Sequence, residues 1–115
     1  MTPQLTAQTI YAALGERRPT AILTASGIAT LGSLRAIQDR GISIPKDLSL
    51  LGFDDVPWME VLRPSISVVS QPVAEIGRRA WNLMQSAFED EGIDEHILLD
   101  ARIIERESTR RIENR

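Results

Sequence analysis

The 115 residues include 13 basic and 16 acidic side chains, for a net charge of −3 and a pI near 5.1, and no cysteine. That length suits one domain with one core and is short for a two-lobed binding protein, while the acid excess argues against a nucleic-acid surface within the chain. The missing cysteines exclude a disulfide framework, a thiolate metal site and a Cys nucleophile, and they fit a cytoplasmic protein; no apolar run is long enough to span a membrane, and the start lacks a charged-then-apolar signal segment.

In chain order, Leu5 to Leu14 predicts a short helix. Thr6 is placed to cap it, and Ala7, Ile10, Tyr11 and Leu14 recur at helical spacing. Gly15 is expected to end it, with Arg17, Arg18 and Pro19 as the turn. Thr20 to Thr24 reads as a strand and Ser26 to Asp39 as a helix stopped by Gly41. On that helix Ala29, Gly32, Ser33 and Ala36 make a small-residue face able to approach a sheet closely. Leu31 and Leu34 point away from it, where a monomer exposes them. Leu48 to Phe53 is the next strand, Pro57 to Leu62 a loop or single helical turn closed by Pro64, and Ile66 to Val69 another strand. Pro72 opens a long helix at its first position, running to about Glu89. Val73, Ile76, Ala80, Met84 and Ala87 form its apolar stripe, opposite Arg78, Arg79, Asn82, Gln85 and Glu89, so one side should be buried. Trp81 lies at the stripe's edge, as a core border or a contact with another body. His96 to Leu99 and Arg102 to Ile104 read as late strands, and residues 110–115 as a frayed polar tail. The alternation predicts an α/β fold, a mostly parallel sheet flanked by helices.

The strand at Leu48 to Phe53 carries the most information. A nearly unbroken apolar run is typical of a strand covered on both faces, and this one delivers Asp54 and Asp55 to its carboxyl end. In open parallel sheets, ligands bind beyond that end. The alternative is that one acid caps the next turn and the other is solvated. Other chemistry is thin. Gly27 to Ser33 has the glycine spacing of a phosphate loop but lacks its lysine. Ser26 and Ser70 lie outside any nucleophile-elbow pattern, and Ser26 before Gly27 fits a helix cap. The single His96 sits in an acidic stretch and reads as a surface residue. A phosphoacceptor acid pair needs a lysine at a strand end, and Lys46, the only lysine, precedes its strand. Two adjacent carboxylates without a third ligand do not make a metal site. No catalytic residue, metal or cofactor is expected.

Taken together, Pro19-Thr20-Ala21-Ile22-Leu23-Thr24-Ala25-Ser26, Leu34-Arg35-Ala36-Ile37 and Arg40-Gly41-Ile42-Ser43-Ile44-Pro45-Lys46-Asp47 resemble the carboxyl-terminal core of LacI-type transcriptional regulators. Leu51-Gly52-Phe53-Asp54-Asp55, the run from Leu62 to Pro72, Gly77-Arg78-Arg79-Ala80 and Arg106-Glu107-Ser108-Thr109 continue the likeness in the same order. It covers about Leu5 to Thr109. The resemblance implies part of a periplasmic-binding-protein-like lobe, with residues 1–115 as the carboxyl-terminal part of an effector-binding and dimerisation core. DNA would be reached only through a domain missing from this chain. Asp54 matches the family's effector-contacting aspartate, where a carboxylate can accept charge-assisted bonds from a sugar-like or similarly polar effector. Gln71 matches a crossover residue that often faces the cleft. Ser26 and Gly27 stand where the family commonly has Asn-Asp, so Ser26 is either a ligand contact or a cap. The likeness also implies a homodimer through Ile28 and Leu31 on one element and Trp58, Val61 and Leu62 on another.

Three functions follow for comparison: the effector-binding portion of a repressor, a fragment of a periplasmic sugar-binding protein of the same fold, and a small α/β enzyme. The Arg106-to-Thr109 ending favours the first, and the absence of a nucleophile–base pair disfavours the last.

Overall fold

A computed structural model describes residues 2–16, 18–89 and 95–113. The chain forms two compact units, residues 1–70 with 103–115 and residues 71–102.

The first unit is built on a four-stranded sheet in the order β1-β2-β3-β4. Strands β1 (Ala21–Leu23) and β2 (Ser49–Phe53) pair in parallel, as do β2 and β3 (Ser67–Ser70); β4 is Arg102–Ile104. Ile22 lies opposite Leu50, and Gly52 opposite Val68. Helices α1 (Pro3–Glu16) and α2 (Gly27–Asp39) join the sheet in one core, in which Leu14, Ile37, Leu48, Leu50, Met59, Ile66 and Val68 are buried. Met59 belongs to the single turn α3 (Trp58–Val61). The expectation of a strand covered on both faces holds for one face of β2 only. Leu50 and Gly52 are buried, whereas Ser49, Leu51 and Phe53 on the other face are half-buried.

Several boundaries differ from the sequence reading. Thr2 caps α1 in place of Thr6, its hydroxyl accepting from the Leu5 amide at 3.3 Å. Thr6 and Gly15 are helical, and Arg17 lies outside the described residues. The stripe from Ala7 to Leu14 faces inward as expected. The small-residue face of α2 is buried, but Gly32 abuts α1: a Cβ there would lie 2.4 Å from the Pro3 carbonyl oxygen. Leu31 is exposed, while Leu34 packs partly against the core. Gly41 (φ 63°) follows the α2 C-cap at Arg40.

The second unit consists of α4 (Val73–Phe88) and the segment after it. Pro72 is the N-cap, so the helix begins at Val73, one position later than predicted. No residue of α4 is buried, so its apolar side is not covered within this chain. Phe88, at the end of the helix, is 82% exposed. Leu83 is half-buried and shares a shallow groove with Ile97 and Leu99. Residues 95–100 are irregular, so the strand predicted at His96 to Leu99 does not form there. No described helix is long and apolar enough to cross a membrane.

Candidate functional site

Parallel pairing puts the carboxyl ends of β1, β2 and β3 at one edge of the sheet. Two bonds extend the ladder at that edge: Thr24 N–H donates to the Leu51 carbonyl at 3.0 Å, and Asp54 N–H to the Val69 carbonyl at 3.0 Å. Beyond β1, the chain turns into α2 through Ser26. The Ser26 oxygen accepts from the Ala29 amide at 3.2 Å, so the predicted cap is real. A hydroxyl that accepts can still donate, which leaves its proton available to a ligand. The start of α2 is fixed from behind by a buried hydroxyl pair, Thr24 and Thr30, 2.7 Å apart. Thr30 also donates to the Ser26 carbonyl at 2.9 Å.

The loop after β2 lies against this turn. A Cβ on Gly27 would sit 2.9 Å from Val56 Cγ2, so glycine allows the two segments to touch. Ser26 and the Asp54 to Val56 loop are thus neighbours on one edge. Asp54 itself has φ 69°, in the left-handed region that aspartate enters more readily than most L residues. Gln71 directly follows β3 in the chain and opens the second unit.

The two acids have separate roles. Asp55 forms a forked ion pair with Arg106, with NH1 at 2.8 Å from one carboxylate oxygen and NH2 at 2.9 Å from the other. The Arg106 side chain is only 13% exposed, and NH1 also donates to the Ile66 carbonyl at 3.0 Å. The bonds to Asp55 raise the Arg106 pKa above its already high ordinary value. Asp55 is therefore neither a turn cap nor simply solvated. Asp54, half-buried, lies beside it just past the carboxyl end of β2.

Sequence reasoning did not assign structural work to the last motif. Ser108 is fully buried, donates to the Leu50 carbonyl at 2.6 Å and accepts from the Ser67 amide at 2.8 Å. Ser67 Oγ in turn accepts from the Arg106 amide at 2.8 Å and lies 2.9 Å from Thr109 Oγ1. Arg110, expected to begin a frayed tail, instead donates to the Pro45 and Lys46 carbonyls at 2.9 and 2.7 Å. Only the order of Arg106-Glu107-Ser108-Thr109 hinted at this, since each bond spans about 40 residues or more.

Of the predicted interface residues, Ile28, Leu31, Val61 and Leu62 are exposed. Trp58 is half-buried and packs partly against the core. Leu31 and Leu62 line the same groove of about 620 Å³, floored by Leu34, Ile42 and Ile44. Among the described residues no cluster of three or more His, Cys, Asp or Glu could hold a metal ion.

Residues 2–109 match the family model described as a periplasmic binding protein-like domain. Among curated relatives, the HTH-type transcriptional regulator MalR of Clostridium butyricum is 35% identical over 89 residues, covering 77% of this chain and 27% of MalR. A regulatory protein of the LacI family from Chloroflexus aggregans has a solved structure that superposes with a TM-score of 0.81 at 38% identity, over 94% of this chain and 40% of that one. A LacI family transcriptional regulator from Enterococcus faecium, solved with bound ribose, gives a TM-score of 0.83 at 27% identity, over 95% and 41%. The chain thus spans well under half the length of these relatives.

Proposed function

Because the chain belongs to the periplasmic binding protein-like domain family, in the branch of the LacI-type transcriptional regulators, we propose that it is the effector-binding and self-association portion of such a regulator. DNA recognition would reside in a separate domain, and no catalysis is assigned to this chain. The effector is a sugar-like, polyhydroxylated small molecule. Asp54 accepts hydrogen bonds from its hydroxyls, the Ser26 hydroxyl donates to it, and Gln71 adds an amide contact.

The observation that carries this reading is the position of Asp54 at the end of the central strand. Asp55 is held by Arg106, and Asp54 stands at the carboxyl end of β2, the edge of the sheet where parallel folds bind their ligands. A charged acceptor suits sugar hydroxyls, and the Enterococcus relative was solved with ribose bound. In the same reading two copies pair through Ile28, Leu31, Trp58, Val61 and Leu62.

The test is calorimetry on the regulator containing these residues, with a panel of pentoses and hexoses beginning with ribose. Asp54→Ala should weaken the sugar that binds by roughly ten- to a hundredfold, the worth of a hydrogen bond to a charged group. An unchanged Kd would remove Asp54 from the site. The 115 residues alone supply one wall of the cleft and should bind the same sugar weakly or not at all.

A further inference from the structure

We propose that Arg106 is a positioning residue: its forked pair with Asp55 holds the turn that presents the Asp54 carboxylate to the effector. This rests on the reading of Asp54 given above, and its test is chosen to stand apart from that reading.

Asp54 at φ 69° occupies a backbone region that an L side chain enters only at a cost. Such a conformation persists where the surroundings over-determine it. On the amino side, the Asp54 amide is tied to the Val69 carbonyl. On the carboxyl side, the next residue is clamped at both carboxylate oxygens by Arg106. Asp54 is thereby held from both flanks. Opening the fork would remove the restraint on the carboxyl side of this turn, and the Asp54 backbone would move more freely about its φ.

Arg106 is itself well anchored without Asp55. Its guanidinium donates to the Ile66 carbonyl, its backbone amide donates to Ser67 Oγ, and two residues on Ser108 is locked between β2 and β3. A side-chain substitution at 106 leaves the amide bond to Ser67 in place. The planar guanidinium matches both carboxylate oxygens at once, which a lysine ammonium cannot do. Arg106 also offsets the charge of Asp55.

The experiment is nuclear magnetic resonance on the 15N-labelled chain without ligand, reading the order parameter and the amide–Hα coupling of Asp54. In the unmodified chain Asp54 should have an order parameter of about 0.85 and a coupling typical of positive φ. In Arg106→Gln the order parameter should fall below about 0.6, with Arg106→Lys between the two. The slowly exchanging amides of Leu50 and Val68 should be retained in both variants. A role confined to overall stability would move those core amides and leave the Asp54 order parameter alone. If Arg106→Gln unfolds the core, Asp55→Ala decides, because it removes the fork while Arg106 keeps its bonds to Ile66 and Ser67. Asp54 as ordered in Asp55→Ala as in the unmodified chain overturns the proposal. A failure of Asp54→Ala to change sugar affinity would instead strike the assignment of the effector site and leave this result standing.

Discussion

Ser108 is a small side chain on which two strands depend. Its hydroxyl donates to Leu50 and accepts from Ser67 in a fully buried position, so Ser108→Ala strands a carbonyl and an amide together. Each orphaned group costs about 1–3 kcal/mol, and a loss of about 2–4 kcal/mol is expected from chemical denaturation of the variant. A loss under about 0.5 kcal/mol would mean that water or a local shift replaces both bonds. Tyr11 offers a separate check, because it is the only tyrosine and its absorbance can be titrated cleanly. Its hydroxyl donates to Asp39, and this bond, ahead of partial desolvation and the Asp39 charge, raises its pKa above the ordinary value near 10. The sign follows directly: the contribution is complete below the unfolded pKa and is lost as pH rises through the higher folded one. Asp39→Asn should return the Tyr11 midpoint toward the ordinary value, and an unmoved midpoint would deny the bond. The acid pair at 54 and 55 was legible as chemistry, but its division of labour was not. Local spacing carries no information about an arginine 51 residues away. Ser26 was legible in one of its two readings, because a cap is a local interaction between a side chain and the next turn.

At the scale of elements, two helical glycines predict opposite outcomes for one substitution. A Gly→Ala change in an open helix position should stabilise by roughly 0.5–1 kcal/mol. Gly77 in α4 has nothing within 4 Å of its would-be Cβ, so Gly77→Ala should raise the melting temperature of the isolated chain or leave it unchanged. A Cβ on Gly32 would lie 2.4 Å from the Pro3 carbonyl oxygen and 2.8 Å from Thr6 Cβ. Backbone must move there, so Gly32→Ala should overpack the α1–α2 contact and destabilise by about 1–3 kcal/mol. Thermal melts of both variants provide the check; a stabilised Gly32→Ala would refute the close helix contact. Helices α2 and α4 were legible to within a residue, since their apolar periodicity extends over several turns. What covers each face was harder to read. The small face of α2 was expected against a sheet, and Gly32 instead meets α1. The α4 stripe had the pattern of a buried face, yet no α4 residue is buried. Hydrophobic period marks a face fit for burial and says nothing about which body covers it. The predicted strand at His96 to Leu99 fails for a related reason, because alternation in a short segment makes a strand only when an edge is there to pair with.

For the whole molecule, the open question is where exposed apolar surface goes when two copies meet. On the first unit Leu31 is 48% and Val61 73% exposed, with Ile28 and Leu62 beside them, around a groove that Leu31 and Leu62 themselves line. A patch holding both a projecting valine and a recess can complement itself about a two-fold axis, where each copy supplies knob and hole. Covering the exposed half of each such side chain contributes about 1 kcal/mol, which favours pairing through this patch. Sedimentation equilibrium at tens of micromolar should return twice the monomer mass of 12.8 kDa. Leu31→Lys together with Leu62→Lys should restore the monomer, because the paired patches would then bring ammonium groups together in a desolvated groove. A monomer for the unmodified chain rejects self-association. A dimer that survives both lysines would move the contact to the second unit, where the exposed stripe from Val73 to Phe88 is the next apolar surface. Ile76→Lys with Met84→Lys distinguishes that case, since charges on the stripe would break an α4-mediated dimer and leave one held by the groove intact.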